Sequence, residues 1–440
     1  MMADSATSAS PAVQAQLDRL WDLSPGADIL GLERITVLLD RLGNPHERLP
    51  PALHVAGTNG KGSTCAFLRA AIEAAGLSCH VYTSPHLVRF NERIRLAGAL
   101  IDDEYLAALL AQVLDQAEGL KASFFEVTTA AAFLAFADTP ADACIIEVGL
   151  GGRLDATNVI ARPLVTGIAQ LGVDHQAFLG ETIEEIAAEK AGIAKPAVPL
   201  VTMRYPPAVE KRVATVARGA GAPVAAASGS WMFAVEPDRL IYKDAADRIE
   251  TPLPTLAGAH QPENLALAIA MLRRQNQLAI PLDAYAAAAT EAHWPARMQR
   301  LAPGPLTDLL PQGSALWLDG GHNPAAGAAI ARSLDASETG PIHLVLGMLA
   351  NKDATGLLAP IASRVVSLTA VPVPDHEHHA PADLAASASA LGIEQTSTAS
   401  DVRTALIAIA KASPGPLTIL ILGSLYLAGT VLEANDQLPE

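Results

Sequence analysis

The segment His54-Val55-Ala56-Gly57-Thr58-Asn59-Gly60-Lys61-Gly62-Ser63-Thr64 constrains this chain more than any other. An apolar run, Ala52 to Ala56, leads into it, and a helical pattern, Lys61 to Ala75, leads out. Glycines let the backbone turn tightly and aim its N–H groups at an anion, and the start of a helix adds partial positive charge. The spacing, G-x-x-G-K-G-S, is shorter than the usual G-x-x-x-x-G-K-[ST] loop, but the residue types are the same. Thr58, Asn59, Gly60, Lys61, Gly62 and Ser63 are therefore candidate phosphate contacts, with Lys61 reaching the β- and γ-phosphates. The bland alternative is a glycine-rich turn with an ordinary surface lysine.

A strand–loop–helix of this kind belongs in an α/β fold, and the rest of the chain repeats the rhythm. Apolar runs at 78–83, 143–148 and 164–171 alternate with helical patterns at 105–117 and 127–137. That alternation predicts a mostly parallel sheet covered by helices. Thr182 and Glu185 form a capping-box pair before a helix ending at Ala191, with Gly192 expected as its left-handed C-terminal turn. Residues 231–249 read as short antiparallel strands and 261–274 as helix. The α/β rhythm then restarts with strands at 315–318, 342–347, 364–368 and 417–422 and helices at 325–334 and 355–362. At 440 residues the chain has room for two or three domains. Between the two α/β blocks, Pro303, Gly304, Pro305, Pro311 and Gly313 give 302–314 the composition of a linker. The expected boundary falls near Arg297, dividing the chain into 1–297 and 298–440.

Charge narrows the partners. Thirty basic against 46 acidic residues leave a net −16, a field that repels nucleic acid and anionic membranes. Any anionic substrate must then be held by a local constellation. The three cysteines, Cys65, Cys79 and Cys144, have no C-x-x-C spacing, which argues against a disulfide framework or zinc site and for a reducing cytoplasm. The first eleven residues lack a basic region followed by an apolar one, so no signal peptide is expected. The late apolar stretch 417–432 is broken by Thr418, Gly423, Ser424 and Gly429 and is too short to span a membrane.

Three polar residues fall just past strand ends: Ser84, Glu147 and His175. In an open α/β sheet ligands bind at the carboxyl ends of strands, which would gather all three beside the phosphate loop. A hydroxyl, a carboxylate and an imidazole around a nucleotide suit a divalent cation, most simply Mg²⁺. Singly, each has a structural explanation: a turn cap, an edge charge, a core histidine. Lys190, in the last turn of its helix, complements the helix C-terminus as well as it suits a functional role. Asp319-Gly320-Gly321-His322-Asn323-Pro324 occupies the equivalent strand-end position in the second block, suited to ribose or an amino acid or, more plainly, to an Asx turn. Asp375-His376-Glu377-His378-His379 looks like a metal tract, but its flanking prolines mark a solvated loop.

Taken in order, several runs resemble the folylpolyglutamate synthase/dihydrofolate synthase branch of the Mur ligase superfamily. They are Gly57–Ser63, Thr83-Ser84-Pro85-His86-Leu87, Asn91-Glu92-Arg93-Ile94, Glu147–Asn158, Asp174-His175, Glu189–Ile193 and His322-Asn323-Pro324. The likeness runs from about Gly31 to Tyr426. It implies an α/β Mur-ligase-type P-loop ATP-binding domain (1–297) followed by a smaller Rossmann-like ligase domain (298–440). It also implies an ATP-dependent ligase that phosphorylates a carboxylate and lets the amine of L-glutamate attack the acyl phosphate. By position, residues 58–63 would hold ATP, while Ser84, Glu147 and His175 would ligate Mg²⁺. Lys190 would be the family's carbamylated lysine. Asn264, Arg297 and Asp319 would be further ATP contacts, with His322 and Ser424 at the glutamate.

Bifunctionality, with dihydropteroate as well as folates as acceptors, is suggested by three segments: Asp28-Ile29-Leu30, Ser123-Phe124-Phe125-Glu126 and Leu154-Asp155-Ala156. They are similar to those enclosing the pterin in bifunctional members. A flat pterin wants an aromatic face such as Phe124, and its N–H groups want an acceptor such as Asp28 or Asp155. Alternatively Phe124 and Phe125 merely open a core helix. Gly321 stands where the family often has alanine. The expected partners are small molecules, with a monomer acting alone. A P-loop kinase, another Mur-type ligase, a folylpolyglutamate synthase without dihydrofolate synthase activity, and a non-enzymatic nucleotide-binding regulator are the competing readings. The first leaves the 319–324 loop unexplained, and the last is disfavoured by the presence of Lys61, Glu147 and His175 together.

Overall fold

The computed structural model describes residues 7–23, 30–227, 229–335, 340–413 and 415–440. Two compact units form. One comprises Met1–Thr255, Gln261–His293 and Glu440; the other comprises Leu256–His260 and Trp294–Pro439. The chain thus leaves the first unit at Leu256, returns at Gln261 and leaves again at Trp294, whereas the sequence suggested a single cut near Arg297.

The first unit is built on a sheet of eight strands among the described residues: β1 (Ala52–Ala56), β2 (Cys79–Tyr82), β3 (Ile94–Leu96), β4 (Ala99–Leu100), β5 (Ala143–Glu147), β6 (Val165–Ile168), β7 (Leu200–Thr202) and β8 (Val224–Ala226). Their order is β4-β3-β2-β5-β1-β6-β7-β8. Strands β2, β5, β1, β6, β7 and β8 run parallel, and β3 and β4 close one edge antiparallel. Every residue of β1 and β5 is buried, as expected for central parallel strands with helices on both faces. Helices Pro11–Leu23, Glu33–Arg41, Asp103–Ala117 and Phe124–Asp138 pack on one another and on one face of the sheet. Helices Lys61–Ala74, Gln261–Arg274 and Leu282–Glu291 form the other layer. From β1 the chain crosses to β2 on one side, whereas β6 lies on the other side of β1, so the crossovers reverse there. That reversal opens a crevice at the carboxyl ends of β1, β5 and β6, where ligands of such sheets bind. The antiparallel strands expected near 231–249 are β9 (Trp231–Val235), β10 (Arg239–Asp244) and β11 (Arg248–Pro252).

The second unit carries β12 (Gln299–Arg300), β13 (Ala315–Asp319), β14 (Ile342–Leu346), β15 (Val365–Ala370), β16 (Gln395–Thr398) and β17 (Thr418–Leu422), in the order β12-β13-β17-β14-β15-β16. All but β12 run parallel. The α/β class expected from the sequence, two parallel-sheet units, is therefore the architecture observed.

Two local expectations need correction. Gly192 is not left-handed; it sits at φ −62°, in the helical region. Its lack of a side chain matters because a Cβ there would run into the Arg153 side chain. The 302–314 segment is not a linker either. Buried Asn435 accepts from Leu306 N (2.9 Å) and donates to Ala302 O (3.1 Å), anchoring this proline-rich stretch inside the second unit. Proline composition reports missing donors, not missing anchors. Replacing Asn435 by alanine leaves Leu306 N–H and Ala302 C=O without their side-chain partner and is expected to cost about 1–3 kcal/mol. A lowered denaturation midpoint for the second unit, read by urea titration, checks this.

Candidate active site

The loop after β1 begins at Gly57 (φ 152°), where a Cβ would lie 2.9 Å from that of Ala169, and reaches Gly60 (φ 83°). A side chain at Gly60 would collide with Asn264. Thr58 N and Asn59 N both donate to Gln170 O (2.8 and 3.2 Å), and the Thr58 hydroxyl donates to Gly172 O (3.0 Å). These bonds tie the loop to the extension of β6. They also engage the backbone donors of Thr58 and Asn59, which leaves the N–H groups of Lys61, Gly62 and Ser63 as the candidate donors to an anion. These lie in the first turn of helix Lys61–Ala74, where no carbonyl within the helix can receive them.

Behind the loop stands a contact that the sequence did not single out. Gln261, fully buried at the start of helix Gln261–Arg274, donates from Nε2 to Ser63 Oγ (3.3 Å) and accepts from Asn264 Nδ2 (3.0 Å). Asn264, one of the expected ATP contacts, is thereby held against Gly60 within the first unit. The available signal was the His260-Gln261-Pro262-Glu263-Asn264 run opening a helix, which without the fold has no visible neighbour. A second unexpected anchor is Tyr205, whose buried hydroxyl lies 2.7 Å from Ile168 O and 2.8 Å from Ala169 O at the end of β6.

Glu147 ends β5, is 4% exposed, and its Oε1 lies 3.9 Å from Lys61 Nζ. Ser84 follows β2 by two residues, and His175, itself left-handed (φ 53°), follows β6. All three thus lie at or beyond the carboxyl ends of strands in the contiguous block β2-β5-β1-β6. Among the described residues no group of three or more His, Cys, Asp or Glu is assembled to hold a metal by itself. A metal in this crevice would therefore take a mixed set, with one carboxylate, one hydroxyl and one imidazole supplemented by phosphate oxygens. Those donors fit a hard divalent ion that keeps oxygen ligands from its nucleotide. The His376–His379 tract is not assembled as a metal site: His376 stacks on Tyr426 (centroids 3.8 Å), while His378 Nδ1 and His379 Nε2 lie 2.7 and 2.8 Å from backbone carbonyls.

Lys190 is buried, 5% exposed, and its Nζ donates to Gly57 O at 2.9 Å. Burial, reinforced by the nearby Lys61 charge and opposed by Asp174 and Asp155, pulls its pKa down to about 7. The amine is thus close to half neutral at pH 7, a state ordinary lysines avoid.

The remaining first-unit candidates sort by environment. Asp28 and Ile29 lie outside the described residues, and Leu30 and Leu154 are half-buried. Ser123 caps helix Phe124–Asp138 reciprocally with Glu126. Glu126 Oε2 also pairs with Arg34 Nε at 2.9 Å, whereas its buried Oε1 has no hydrogen-bond partner. Phe124 is buried among Trp21, Phe90 and the Arg93 guanidinium, 5.4 Å above its ring, while Phe125 is only half-buried. The Asp155 carboxylate accepts from Leu150 N (2.8 Å), Thr157 N (3.0 Å) and the Thr157 hydroxyl, and Ala156 follows it, buried.

In the second unit Asp319, at the end of β13, accepts from Met298 N and Gly321 N, both at 2.7 Å. It thereby fixes the turn carrying Arg297, whose Nη1 donates to Ala296 O (2.8 Å). His322 Nδ1 lies 2.9 Å from Gly320 O, which places a proton on Nδ1. Asn323 Oδ1 accepts from Ala326 N, and Ser424 Oγ accepts from Tyr426 N (3.1 Å) at the start of helix Leu425–Ala434.

Comparison with known proteins comes to the same region of fold space. The family model described as Mur ligase, glutamate ligase domain, matches residues 306–425. A dihydrofolate synthase/folylpolyglutamate synthase of Bacillus subtilis is 38% identical over 308 residues, 67% of this chain and 69% of that protein. The solved structure of E. coli FolC in complex with DHPP and ADP superposes with a TM-score of 0.87 at 31% identity, covering 97% of each chain. A bifunctional folylpolyglutamate synthase/dihydrofolate synthase with Mn, AMPPNP and L-glutamate bound superposes with a TM-score of 0.84 at 30% identity, over 97% of this chain and 98% of that one.

Lys190 makes stability depend on pH. Between about 7 and the unfolded value of 10.5 the unfolded chain holds a proton here that the folded chain lacks, so stability rises with pH; below about 7 the burial penalty is complete. Wild type is expected to gain about 2 kcal/mol from pH 7 to pH 9 relative to Lys190→Met. Denaturant titrations of both proteins at the two pH values measure it.

Proposed function

The chain belongs to the dihydrofolate synthase/folylpolyglutamate synthase family of Mur-type ligases, and on that premise we propose that it joins L-glutamate both to dihydropteroate and to folates in the cytoplasm. It is an ATP-dependent acid–amino-acid ligase. The observation that carries the dual reading is a phosphate loop beside a Glu147–Lys61 pair in the same unit as a buried substrate loop around Asp155. The relatives solved with DHPP, ADP and L-glutamate support the choice of substrates. Three free cysteines agree with a reducing compartment.

In this reading ATP phosphorylates the substrate carboxylate, and the glutamate amine displaces phosphate from the acyl phosphate to leave an amide, ADP and phosphate. The first helical turn at Lys61–Ser63 holds the phosphates through N–H donors, and the Lys61 ammonium offsets charge that grows on the transferred group. Ser84, Glu147 and His175 would hold Mg²⁺, which supplies charge neutralisation between the phosphates. The manganese in the solved relative supports a divalent ion. Asn264 in the first unit and Arg297 and Asp319 in the second are assigned to ATP, and Asp319 acts by fixing the Arg297 turn. His322 and Ser424 are assigned to glutamate; the Gly320 carbonyl holds the His322 ring through Nδ1, and Ser424 caps the helix that follows it. Leu30, Phe124, Phe125, Glu126 and Ala156 are assigned to the pteroate, with the half-buried Phe125 offering a ring and the buried Glu126 Oε1 an acceptor. Ser123 serves that wall as the cap of its helix.

Lys190 is assigned as a carbamate. A neutral amine attacks CO₂, an N–C bond forms, one proton leaves, and the remaining N–H still donates to Gly57 O. The depressed pKa supplies the neutral amine. A carbamate carbon signal in ¹³CO₂-equilibrated enzyme, lost in Lys190→Ala, is the expected result.

Phosphate release with Mg-ATP should require both glutamate and an acid acceptor, and both dihydropteroate and a tetrahydrofolate should serve. Turnover with folates alone would reduce the activity to folylpolyglutamate synthase, and phosphate release without an amine would exclude a ligase. Lys61→Ala should keep the fold and retain less than a tenth of wild-type kcat, a loss exceeding about 1.4 kcal/mol of transition-state stabilisation.

A further inference from the structure

His54 occupies the middle of β1, fully buried, between two apolar neighbours on a strand whose every residue is buried. An imidazole at such a position needs a polar reason to be there. Its Nε2 lies 2.8 Å from Thr157 Oγ1. The Thr157 hydroxyl is within hydrogen-bond reach of Asp155 Oδ1, which also accepts from Thr157 N, while Asp155 Oδ2 accepts from Leu150 N. A continuous chain therefore runs from the core strand, through one hydroxyl, to the carboxylate around which residues 149–157 fold.

The proton order in that chain follows from simple counting. An ionised carboxylate only accepts, so the single Thr157 hydroxyl proton goes to Asp155, and Thr157 Oγ1 must accept from His54. That puts the imidazole proton on Nε2. Nδ1 is buried and has no hydrogen-bond partner. Moving the proton there would bury an unpaired donor and also lose the Thr157 bond. Burial lowers the imidazole pKa to about 3, so His54 stays neutral and is no acid or base at working pH. What remains is direction: a fixed N–H that orients one hydroxyl, which orients one carboxylate.

We propose that His54 is a positioning residue for acid-substrate specificity, acting through Thr157 to hold Asp155 and the 149–157 loop in the geometry that receives the pteroate. This rests on the reading above, in which the loop around Asp155, with Ala156, receives that substrate. It separates the two halves of the same strand end: His54 governs the acid acceptor, while the loop that follows three residues later governs ATP.

The test compares His54→Leu, which removes the donor, with His54→Gln, whose amide N–H reaches toward the Nε2 position. His54→Leu should raise KM for dihydropteroate at least tenfold with KM for Mg-ATP within twofold of wild type, and His54→Gln should recover most of the difference. Thr157→Val should reproduce His54→Leu, and the double variant should be no worse than either single one. An unchanged dihydropteroate KM in a folded His54→Leu enzyme, or equal rises for both substrates, overturns the proposal. Should His54→Leu fail to fold, Thr157→Val carries the same comparison. ¹⁵N NMR of the wild type is independent of activity: a proton on Nε2 and a bare Nδ1 are expected, and the opposite tautomer refutes the chain. Wild-type enzyme that releases no phosphate with dihydropteroate would refute the substrate reading instead, leaving the tautomer measurement to decide the role of His54.

Discussion

Everything at this site depends on a backbone loop being immobilised from behind so that its front can face an anion. A peptide N–H is a weak ligand for phosphate unless several converge, and they converge only when the loop has one conformation. Here that rigidity comes from the neighbouring strand's extension. Gln170 O takes two loop N–H groups, Gly172 and Thr58 exchange hydrogen bonds, and Lys190 Nζ grips Gly57 O from below. Gln261 and Asn264 close the remaining side. Because the anchors come from β6 and two distant helices, the loop depends on the whole first unit.

The same logic recurs at the 149–157 loop and in the second unit. Asp155 gathers donors from Leu150 and Thr157, and Asp319 gathers them from Met298 and Gly321. Each is a buried carboxylate whose hydrogen bonds organise the backbone around it. Burial raises the Asp155 pKa, opposed by those donors, and its charge in turn helps Lys190 keep a proton. The glycine-rich loop and the 149–157 loop are thus electrostatically linked within one unit, through Lys190 and Asp155.

Much of this was legible in the linear chain because it depends on local chemistry. A glycine-rich loop between an apolar run and a helix announces itself, since only glycine tolerates the φ of Gly60 and the close approach at Gly57. Thr182 and Glu185 form the capping box their spacing predicts, and the fully buried β1 and β5 read as mostly apolar runs, broken by His54 in one and ended by Glu147 in the other. The seven ordered runs resembled those of a ligase family before any coordinates were needed.

Other features became visible only in three dimensions, because their partners are far apart in the chain. Gln261 meets Ser63 across 198 residues, Asn435 meets Leu306 across 129, and His54 meets Thr157 across 103. No periodicity or spacing encodes such pairs; they arise when parallel strands and crossing helices bring separate turns to one edge. The proline-rich 302–314 stretch shows the converse, since composition suggested a linker while one distant asparagine makes it part of a packed unit. Sequence determined the fold class and the residues able to do chemistry, because those follow from backbone preference and side-chain type. Tertiary structure decided which of those residues are held and by what, because a hydrogen bond forms only where the fold delivers both of its ends.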